Sequence, residues 1–228
     1  VDGLVGSEMC IRDRVSRWVK KYADLNIPIM AHANGDAAAD MLIKAVKDAD
    51  ITSDHRTIMI HAQTVREDQL DQMNELKIIP SYFSTHTFYW GDWHRDSVFG
   101  QDRAMRISPT KSTLNRKMPF TVHNDAPVVP PDMIRLLWST TNRKTRSGKV
   151  LGEEQKISTY EALKAITINA AYQHFEDDIK GTIEVGKLAD LVVLSENPLS
   201  MKTQDLLNLS IVATYSHGQK IYQATSEK

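Results

Sequence analysis

Three residues at the ends of short apolar runs could together bind a metal ion. The runs 27–32 and 57–61 end on His32 and His61, and the run 118–128 contains Asp125. Catalytic groups collect at the carboxyl ends of strands in barrels of alternating strands and helices, so we expect these side chains at one rim. Two imidazoles and a carboxylate form a ligand set for zinc or a similar divalent metal, and Asp125 can also act as a base.

Spacing and strand alternation support this placement. His32 and His61 are 29 positions apart, about one βα unit. If His61 faces the barrel interior, Ile58 and Ile60 face the surrounding helices. A single strand-end histidine is more often a packing residue, but three such ends at barrel spacing favour metal binding. His123 faces the same way as Asp125, and we interpret it as structural.

Composition excludes several classes of protein. The chain has 28 Lys and Arg against 29 Asp and Glu, a net charge of −1, so it has no basic field to hold nucleic acid. No uninterrupted apolar run approaches the ~18 residues of a membrane span. The single Cys10 excludes an internal disulfide framework and agrees with a reducing, cytoplasmic compartment without requiring one.

The first fourteen residues need separate treatment. The segment 1–14 resembles a translated sequencing adapter and is excluded from the fold argument, as an expression scar would be. On this interpretation Cys10 is not native and the true start of the gene is missing. A signal peptide could be missing with it, so localisation stays undetermined.

Apolar spacing divides the chain into alternating helix and strand patterns. Helices are predicted over 15–25, 37–48, 67–76, 109–117, 131–143 and 159–174, and strands over 27–32, 57–61, 78–84 and 118–125. Asp36 is the expected cap of the second helix, and the first helix is expected to lie on a sheet through Val15, Trp18, Val19, Tyr22 and Leu25. This alternation predicts a parallel sheet of βαβ units.

Two stretches depart from this alternation. The aromatic-rich segment 85–108 predicts a long substrate loop at the rim that carries the metal-binding residues. Residues 181–194 and 211–222 are rich in β-forming residues and predict a small separate β unit. A turn is expected at His217 and Gly218, and Asp190 is expected to serve a turn there.

Several segments together carry a family resemblance. The matching pieces are His32–Asp36, Ile60–Gln63, His86–Asp92, His123–Val128, Ser158–Leu163 and Gly181–Leu194. In this order and at these spacings, the chain resembles the C-terminal part of the metal-dependent amidohydrolases of the amidohydrolase 3, or YtcJ-like, family. The resemblance covers nearly everything after Arg14.

The resemblance implies an α/β fold with two parts. Residues 15–178 would form the C-terminal half of a TIM-like (β/α)8 barrel, strands five to eight, and residues 179–228 would form strands of a small composite β-sandwich. It implies one or two divalent ions, zinc being the expected metal.

The resemblance also implies residue roles. His32 and His61 would be metal ligands, Asp125 a ligand and general base, and His86 a residue that binds or polarises the substrate. The family's His-x-His pair is absent from the chain, and Asn124 stands where a serine is more usual.

The expected activity is hydrolysis of a non-peptide carbon–nitrogen bond, of amide type, in a small-molecule substrate by a metal-activated water. Other readings stay open: a non-catalytic fragment, which should aggregate or form homo-oligomers, or a binding module that uses the aromatic segment. A deaminase or a phosphotriesterase-like hydrolase is the nearest enzymatic alternative. The resemblance implies neither a nucleic-acid partner nor a membrane.

Overall fold

The computed structural model describes the backbone of residues 2–225 and the side chains of residues 11–225. In chain order its helices and strands are α1 Asp2–Asp24, β1 Met30–Ala33, α2 Asp36–Ala49, β2 Ile58–His61, α3 Glu67–Glu75, β3 Ile79–Tyr82, α4 His86–Trp93, α5 Gly100–Ala104, α6 Thr110–Asn115, β4 Thr121–Val122, α7 Met133–Asn142, α8 Thr159–Ile166, α9 Ile168–Gln173, β5 Leu191–Leu194, β6 Ile211–Ser216 and β7 Gln219–Gln223. A π-helix occupies His94–Val98, and 3-10 helices occupy Glu153–Gln155 and Thr203–Asn208.

The described residues divide into two units. The first runs up to Phe83 and includes Arg106–Phe120, and the second consists of Ser84–Met105 and the chain from Thr121 onward. The boundaries of these two units differ from the predicted division at residue 178. That division stays a prediction.

Three strands form the parallel sheet of the first unit. β1, β2 and β3 lie side by side in that order, with Met30 level with Ile58 and Ile58 level with Ile79. Ile58 and Met59 are almost completely buried, and every residue of β3 is buried. Because β1, α2, β2, α3 and β3 follow one another along the chain, the predicted α/β fold with a parallel sheet is confirmed.

Helix α1 differs from its prediction. It begins at Asp2 and not at Val15, so residues 2–14 of the adapter-like segment are helical. Val19 is buried, but Trp18, Tyr22 and Leu25 are 47%, 36% and 57% exposed, so the expectation that they cover a sheet is wrong. The helix packs on α2 through a narrow stripe. Within residues 2–225, no helix combines the length and apolarity needed to cross a bilayer.

Helix α2 packs on β1 and on α3 through one buried face. Six residues of α2 are buried at helical spacing: Ala39, Leu42, Ile43, Ala45, Val46 and Ala49. The predicted cap residue is wrong by one position, because Gly35 has the extended N-cap backbone and Asp36 is the first helical residue. The Asp36 carboxylate accepts a hydrogen bond from the Ala37 amide at 3.1 Å.

The aromatic segment of the second unit is helical, so the predicted loop over 85–108 is wrong. α4 continues directly into the π-helix, and α5 follows after Phe99. The segment contains no proline before Pro109, and aromatic pairs at helical spacing such as His86 and Trp90 contact each other at a ring distance of 5.5 Å. These contacts favour a helix where the absence of a simple apolar period suggested a loop.

The helices of the second unit have clear boundary signals. Asp132 caps α7 by accepting a hydrogen bond from the Arg135 amide at 2.9 Å, and Ser158 caps α8 by accepting one from the Glu161 amide. The helix predicted over 159–174 is interrupted at Thr167, whose φ and ψ of −126° and −95° are not helical. Two shorter helices, α8 and α9, therefore replace one.

The C-terminal part of the second unit contains an antiparallel sheet in the order β5, β6, β7. Residues 181–190 contain no strand, so the first β-rich stretch is shorter than predicted. The turn at His217 and Gly218 is confirmed, with φ values of 49° and 77°. Asp190 serves this turn as expected, because its carboxylate accepts a hydrogen bond from the His217 amide at 2.8 Å.

Candidate metal centre

The imidazoles of His32 and His61 meet at the carboxyl ends of β1 and β2. Their ring centroids are 4.7 Å apart and the ring planes cross at 80°. His32 is exposed and His61 is 6% exposed, so one imidazole is open to solvent and the other is sheltered. The structure therefore brings together two of the predicted ligands.

Strict strand alternation would have separated these two rings. The sheet register places His32 level with Ile60, one position before His61. Residues level in a parallel sheet point to the same face, so the next residue should point away. His61 has a φ of 72°, which ends the extended conformation and turns its side chain toward His32. Strand alternation therefore predicts the right pair of residues but omits the turn that brings the two rings together.

The spacing of the two rings fits a shared ion. Two imidazoles that bind one zinc ion at ~2.0–2.1 Å per bond hold their ring centroids about 5 Å apart. The observed 4.7 Å agrees with that arrangement, and the phenyl ring of Phe83 lies 6.0 Å from the His61 ring. The His61 ring therefore has an apolar neighbour on one side.

Backbone hydrogen bonds tie together the two turns that carry these histidines. The Ala62 amide donates to the Ala33 carbonyl at 3.1 Å, and the Thr64 amide donates to the Asn34 carbonyl at 3.2 Å. The turns after β1 and β2 are therefore fixed against each other. This arrangement holds the two imidazoles in place without relying on their own side-chain contacts.

An ion-pair cluster anchors the turn that follows His32. Arg66 donates to both carboxylate oxygens of Asp40, at 3.1 and 3.3 Å, and Gln69 donates to Asp40 at 2.7 Å. Burial by itself would raise the pKa of the Asp40 carboxyl. The hydrogen bonds from Arg66 and Gln69 lower it by more, so the pKa lies below its usual value. Asp40 is therefore ionised at neutral pH and anchors α2 to α3.

Asp125 lies just after β4 in the second unit. It is half-buried, its φ is 56°, and its carbonyl accepts a hydrogen bond from the Val128 amide at 2.9 Å. The neighbouring Asn124 is buried, and its amide donates to the Met133 sulfur at 3.2 Å. The turn that contains Asp125 is therefore held to the start of α7.

His123 is a further metal-binding candidate that sequence reasoning treated as structural. It is half-buried, and one of its ring nitrogens lies within 4.8 Å of a carboxylate oxygen of Asp125. A signal was present, since alternation places His123 on the same side of its strand as Asp125. The structure therefore shows two donor pairs, one in each unit: His32 with His61, and His123 with Asp125.

His86, the predicted substrate-binding residue, is the first residue of α4. It is half-buried, and its ring meets the rings of Trp90 and His94 edge to face, at 5.5 and 5.7 Å. His94 is buried and its ring also lies 5.0 Å from that of Phe99. Burial lowers the pKa of His94, so its imidazole is neutral at pH 7.

Three further histidines, none of them a predicted metal ligand, have these local surroundings. The two ring nitrogens of His55 lie 2.7 Å from the Thr57 hydroxyl and 3.0 Å from the Leu76 carbonyl. Burial lowers the pKa of His55. His174 lies 3.1 Å from the Gln173 amide, and His217 lies in the turn between β6 and β7.

Comparison with known proteins places the chain in a class. The amidohydrolase family profile, that of amidohydrolase 3, matches residues 4–222, so the chain belongs to this family. It is 25% identical over 223 residues to N-substituted formamide deformylase of Arthrobacter pascens, covering 97% of the chain and 41% of that protein. It is 24% identical over 217 residues to the putative amidohydrolase YtcJ of Bacillus subtilis (strain 168), covering 92% of the chain and 40% of that protein.

Solved structures show the same relationship. An uncharacterized metal-dependent hydrolase from Pyrococcus horikoshii OT3 superposes with a TM-score of 0.73 at 25% identity, covering 84% of the chain and 38% of that protein. The corresponding protein from Pyrococcus furiosus gives a TM-score of 0.71 at 25% identity over 83% of the chain. The chain thus spans about two fifths of the length of the relatives it matches.

Proposed function

We propose that the chain is part of a metal-dependent hydrolase that cleaves a non-peptide carbon–nitrogen bond of amide type. The observation that carries the proposal is the meeting of His32 and His61 at two strand ends, in a chain of the amidohydrolase family. His32, His61 and Asp125 are the proposed ligands, and zinc is the proposed metal, as one or two ions. When bound, such an ion lowers the pKa of a water molecule and polarises a carbonyl oxygen.

Asp125 is the proposed general base. A half-buried carboxylate can take a proton from the water as it attacks the carbonyl carbon, and can return that proton to the leaving nitrogen. One carboxylate then serves as base and acid in turn. The fixed turn from Asp125 to Val128 supports this role, because proton transfer depends on a constant donor–acceptor distance.

His86 is the proposed substrate-binding residue. Its ring is fixed between Trp90 and His94, so its orientation does not depend on the substrate. An imidazole held in this way can donate a hydrogen bond to the developing oxyanion of the substrate. His123 is a candidate for a further ligand, since it lies beside Asp125.

The proposed fold of the longer enzyme follows from the family. Residues 15–178 would supply strands five to eight of a TIM-like barrel, and residues 179–228 would supply strands of a composite β-sandwich. A small-molecule substrate is proposed, and the formamide deformylase relative suggests N-substituted formamides as the first class to test.

The test measures product formation with zinc added. The chain, and in a parallel assay the longest form of the protein that can be expressed, is incubated with an N-substituted formamide and, separately, with an aminated heterocycle. The proposal predicts release of formate and amine from the formamide. Ammonia release from the heterocycle alone would indicate a deaminase, and binding of the formamide without turnover would indicate a binding module.

A further inference from the structure

The hairpin formed by residues 143–151 lies against helix α4 in the second unit, and the Asp92 carboxylate fixes it there. The Asp92 carboxylate accepts hydrogen bonds from the hydroxyls of Thr145 and Ser147, at 2.9 and 2.7 Å, and from the Ser147 amide at 3.1 Å. These residues flank Arg146 on both sides. The backbone of Arg146 is therefore held in place although its side chain is exposed.

The hairpin also packs closely against α4. A side chain at Gly91 would place its Cβ 2.8 Å from the Thr145 methyl group and 3.2 Å from Leu151. The hairpin thus approaches α4 as closely as a glycine allows. Its ends are joined by a hydrogen bond from the Leu151 amide to the Arg143 carbonyl at 2.9 Å.

Two guanidinium groups lie over the aromatic rings of α4. Arg146 lies 5.1 Å from the ring centroid of Tyr89 and 5.8 Å from that of Phe88. Arg135, from α7, lies 4.8 Å from the same Phe88 ring, which Trp138 supports edge to face at 5.7 Å. Cation–π contacts orient each guanidinium but leave its N–H groups free to bind an anion.

The surface around Arg135 and Arg146 carries more positive than negative charge. Arg135 has one carboxylate neighbour, Asp132, at 3.7 Å. Arg146 forms no ion pair with any described carboxylate among residues 11–225. The hairpin also contributes Lys144 and Lys149, and its residues 143–151 include no acidic side chain. Each guanidinium can bind a planar oxyanion through two parallel N–H donors.

We propose that Arg135 and Arg146 form a binding site for the carboxylate or phosphate group of a small molecule, on the Phe88 and Tyr89 rings of α4. The site uses none of the proposed metal ligands and needs neither metal nor turnover. Arg146 supplies the exposed donor group, and the Asp92 attachment of the hairpin sets its position.

The test measures, by calorimetry and by tryptophan fluorescence, how the metal-free chain binds benzoate and, separately, inorganic phosphate. Trp138 contacts Phe88, so its emission should change on binding. Saturable binding of at least one anion is expected, with roughly tenfold weaker binding for Arg146→Gln, the loss typical of one charge-assisted contact. The stronger of the two anions identifies a carboxylate or a phosphate ligand.

Arg103→Gln is the matched control, because Arg103 is an exposed arginine of α5 in the same unit. It should bind the anions like the parent chain. Arg146 is exposed, so the Arg146→Gln variant should keep the parent melting temperature. Absence of saturable binding in the parent chain, or equal weakening by both substitutions, would overturn the proposal. Neither result bears on hydrolysis, which is measured separately.

Discussion

At the residue scale, His61 and Asp125 share a left-handed backbone conformation, with φ values of 72° and 56°. Such values cost energy for residues other than glycine, less for aspartate than for most, and they cluster at functional sites. His61 is the last residue of β2, and Asp125 lies three residues after the end of β4. At His61 the left-handed turn directs the side chain away from the alternation of its strand and toward His32.

The first prediction concerns Asp125. Asp125→Asn keeps the shape and tolerates the left-handed backbone, but removes the base. Hydrolysis of a substrate should fall by ~10²–10⁴-fold, the usual contribution of general base catalysis. The melting temperature should stay within about 2 °C of the parent value, because a half-buried side chain with a conservative replacement changes stability little.

Asp178→Asn is the control for this substitution, since Asp178 is an exposed aspartate of the same unit. It should leave the rate unchanged. Undiminished turnover by Asp125→Asn would show that another group acts as the base.

At the element scale, Glu67 joins α3 to α6. It accepts hydrogen bonds from Ser112 at 2.9 Å and from Arg116 at 2.7 Å. Burial raises the pKa of Glu67, but these bonds outweigh it and the pKa lies below its ordinary value of 4.5. A carboxylate with a depressed pKa stabilises the fold above its unfolded pKa, and this contribution is lost as the pH falls through the folded pKa.

The second prediction follows from the lowered pKa of Glu67. Glu67→Gln should lower the free energy of unfolding at pH 7 by on the order of 0.5 to 1 kcal/mol, a small value because solvent screens a side chain that is 45% exposed. The difference from the parent should shrink below pH 4.5. Urea unfolding at several pH values measures it, and Glu75→Gln, an exposed glutamate on α3, is the control. A pH-independent difference would contradict the ion-pair explanation.

The third prediction concerns the contact between α4 and the hairpin. Gly91→Ala should destabilise the chain by about 1–2 kcal/mol, because overpacking costs ~1–3 kcal/mol and the gain in helix propensity is at most ~1 kcal/mol. Thr145 cannot move aside easily, since its hydroxyl is bound to Asp92. Unfolding in urea measures the loss.

A double substitution separates this clash from other effects. Thr145→Ser removes the methyl group that an alanine at position 91 would meet at 2.8 Å and keeps the hydroxyl. Gly91→Ala with Thr145→Ser should therefore recover most of the lost stability. If the double variant is as unstable as Gly91→Ala alone, the contact is not the cause.

Element types were more predictable from sequence than their boundaries and contacts. The β1–α2–β2–α3–β3 order follows from apolar spacing, because β2 and β3 are short apolar runs and the helices have one buried face. The helical segment 86–104 could not be recognised, because its stability depends on ring contacts and a π-helix, neither of which has a simple apolar period. The identity of the candidate ligands came from strand ends, but the left-handed turn at His61 has no sequence signal.

At the scale of the whole molecule, the C-terminal sheet exposes apolar side chains. Ile221 is 65% exposed, Tyr222 is 50% exposed and Val192 is 55% exposed. Strand β7 is an edge strand of its sheet, and all its residues are exposed. Exposed apolar edges favour pairing with another chain.

The fourth prediction is that the chain associates with itself. Sedimentation velocity should show a mean mass that rises with concentration, and Ile221→Lys should shift the distribution toward the monomer. Gln219→Lys adds the same charge to β7 without removing an apolar group, so it should have a smaller effect. A monomer at every concentration would contradict the assignment of this sheet as an interaction surface.

The measurement that tests the central claim most directly is zinc binding to the metal-free chain by calorimetry. The account predicts saturable binding that His61→Ala weakens at least ~10-fold, as loss of a ligand requires. His217→Ala, an exposed histidine in the turn after β6, should bind zinc like the parent. Absence of saturable binding, or equal binding by His61→Ala, would contradict a metal centre at the ends of β1 and β2.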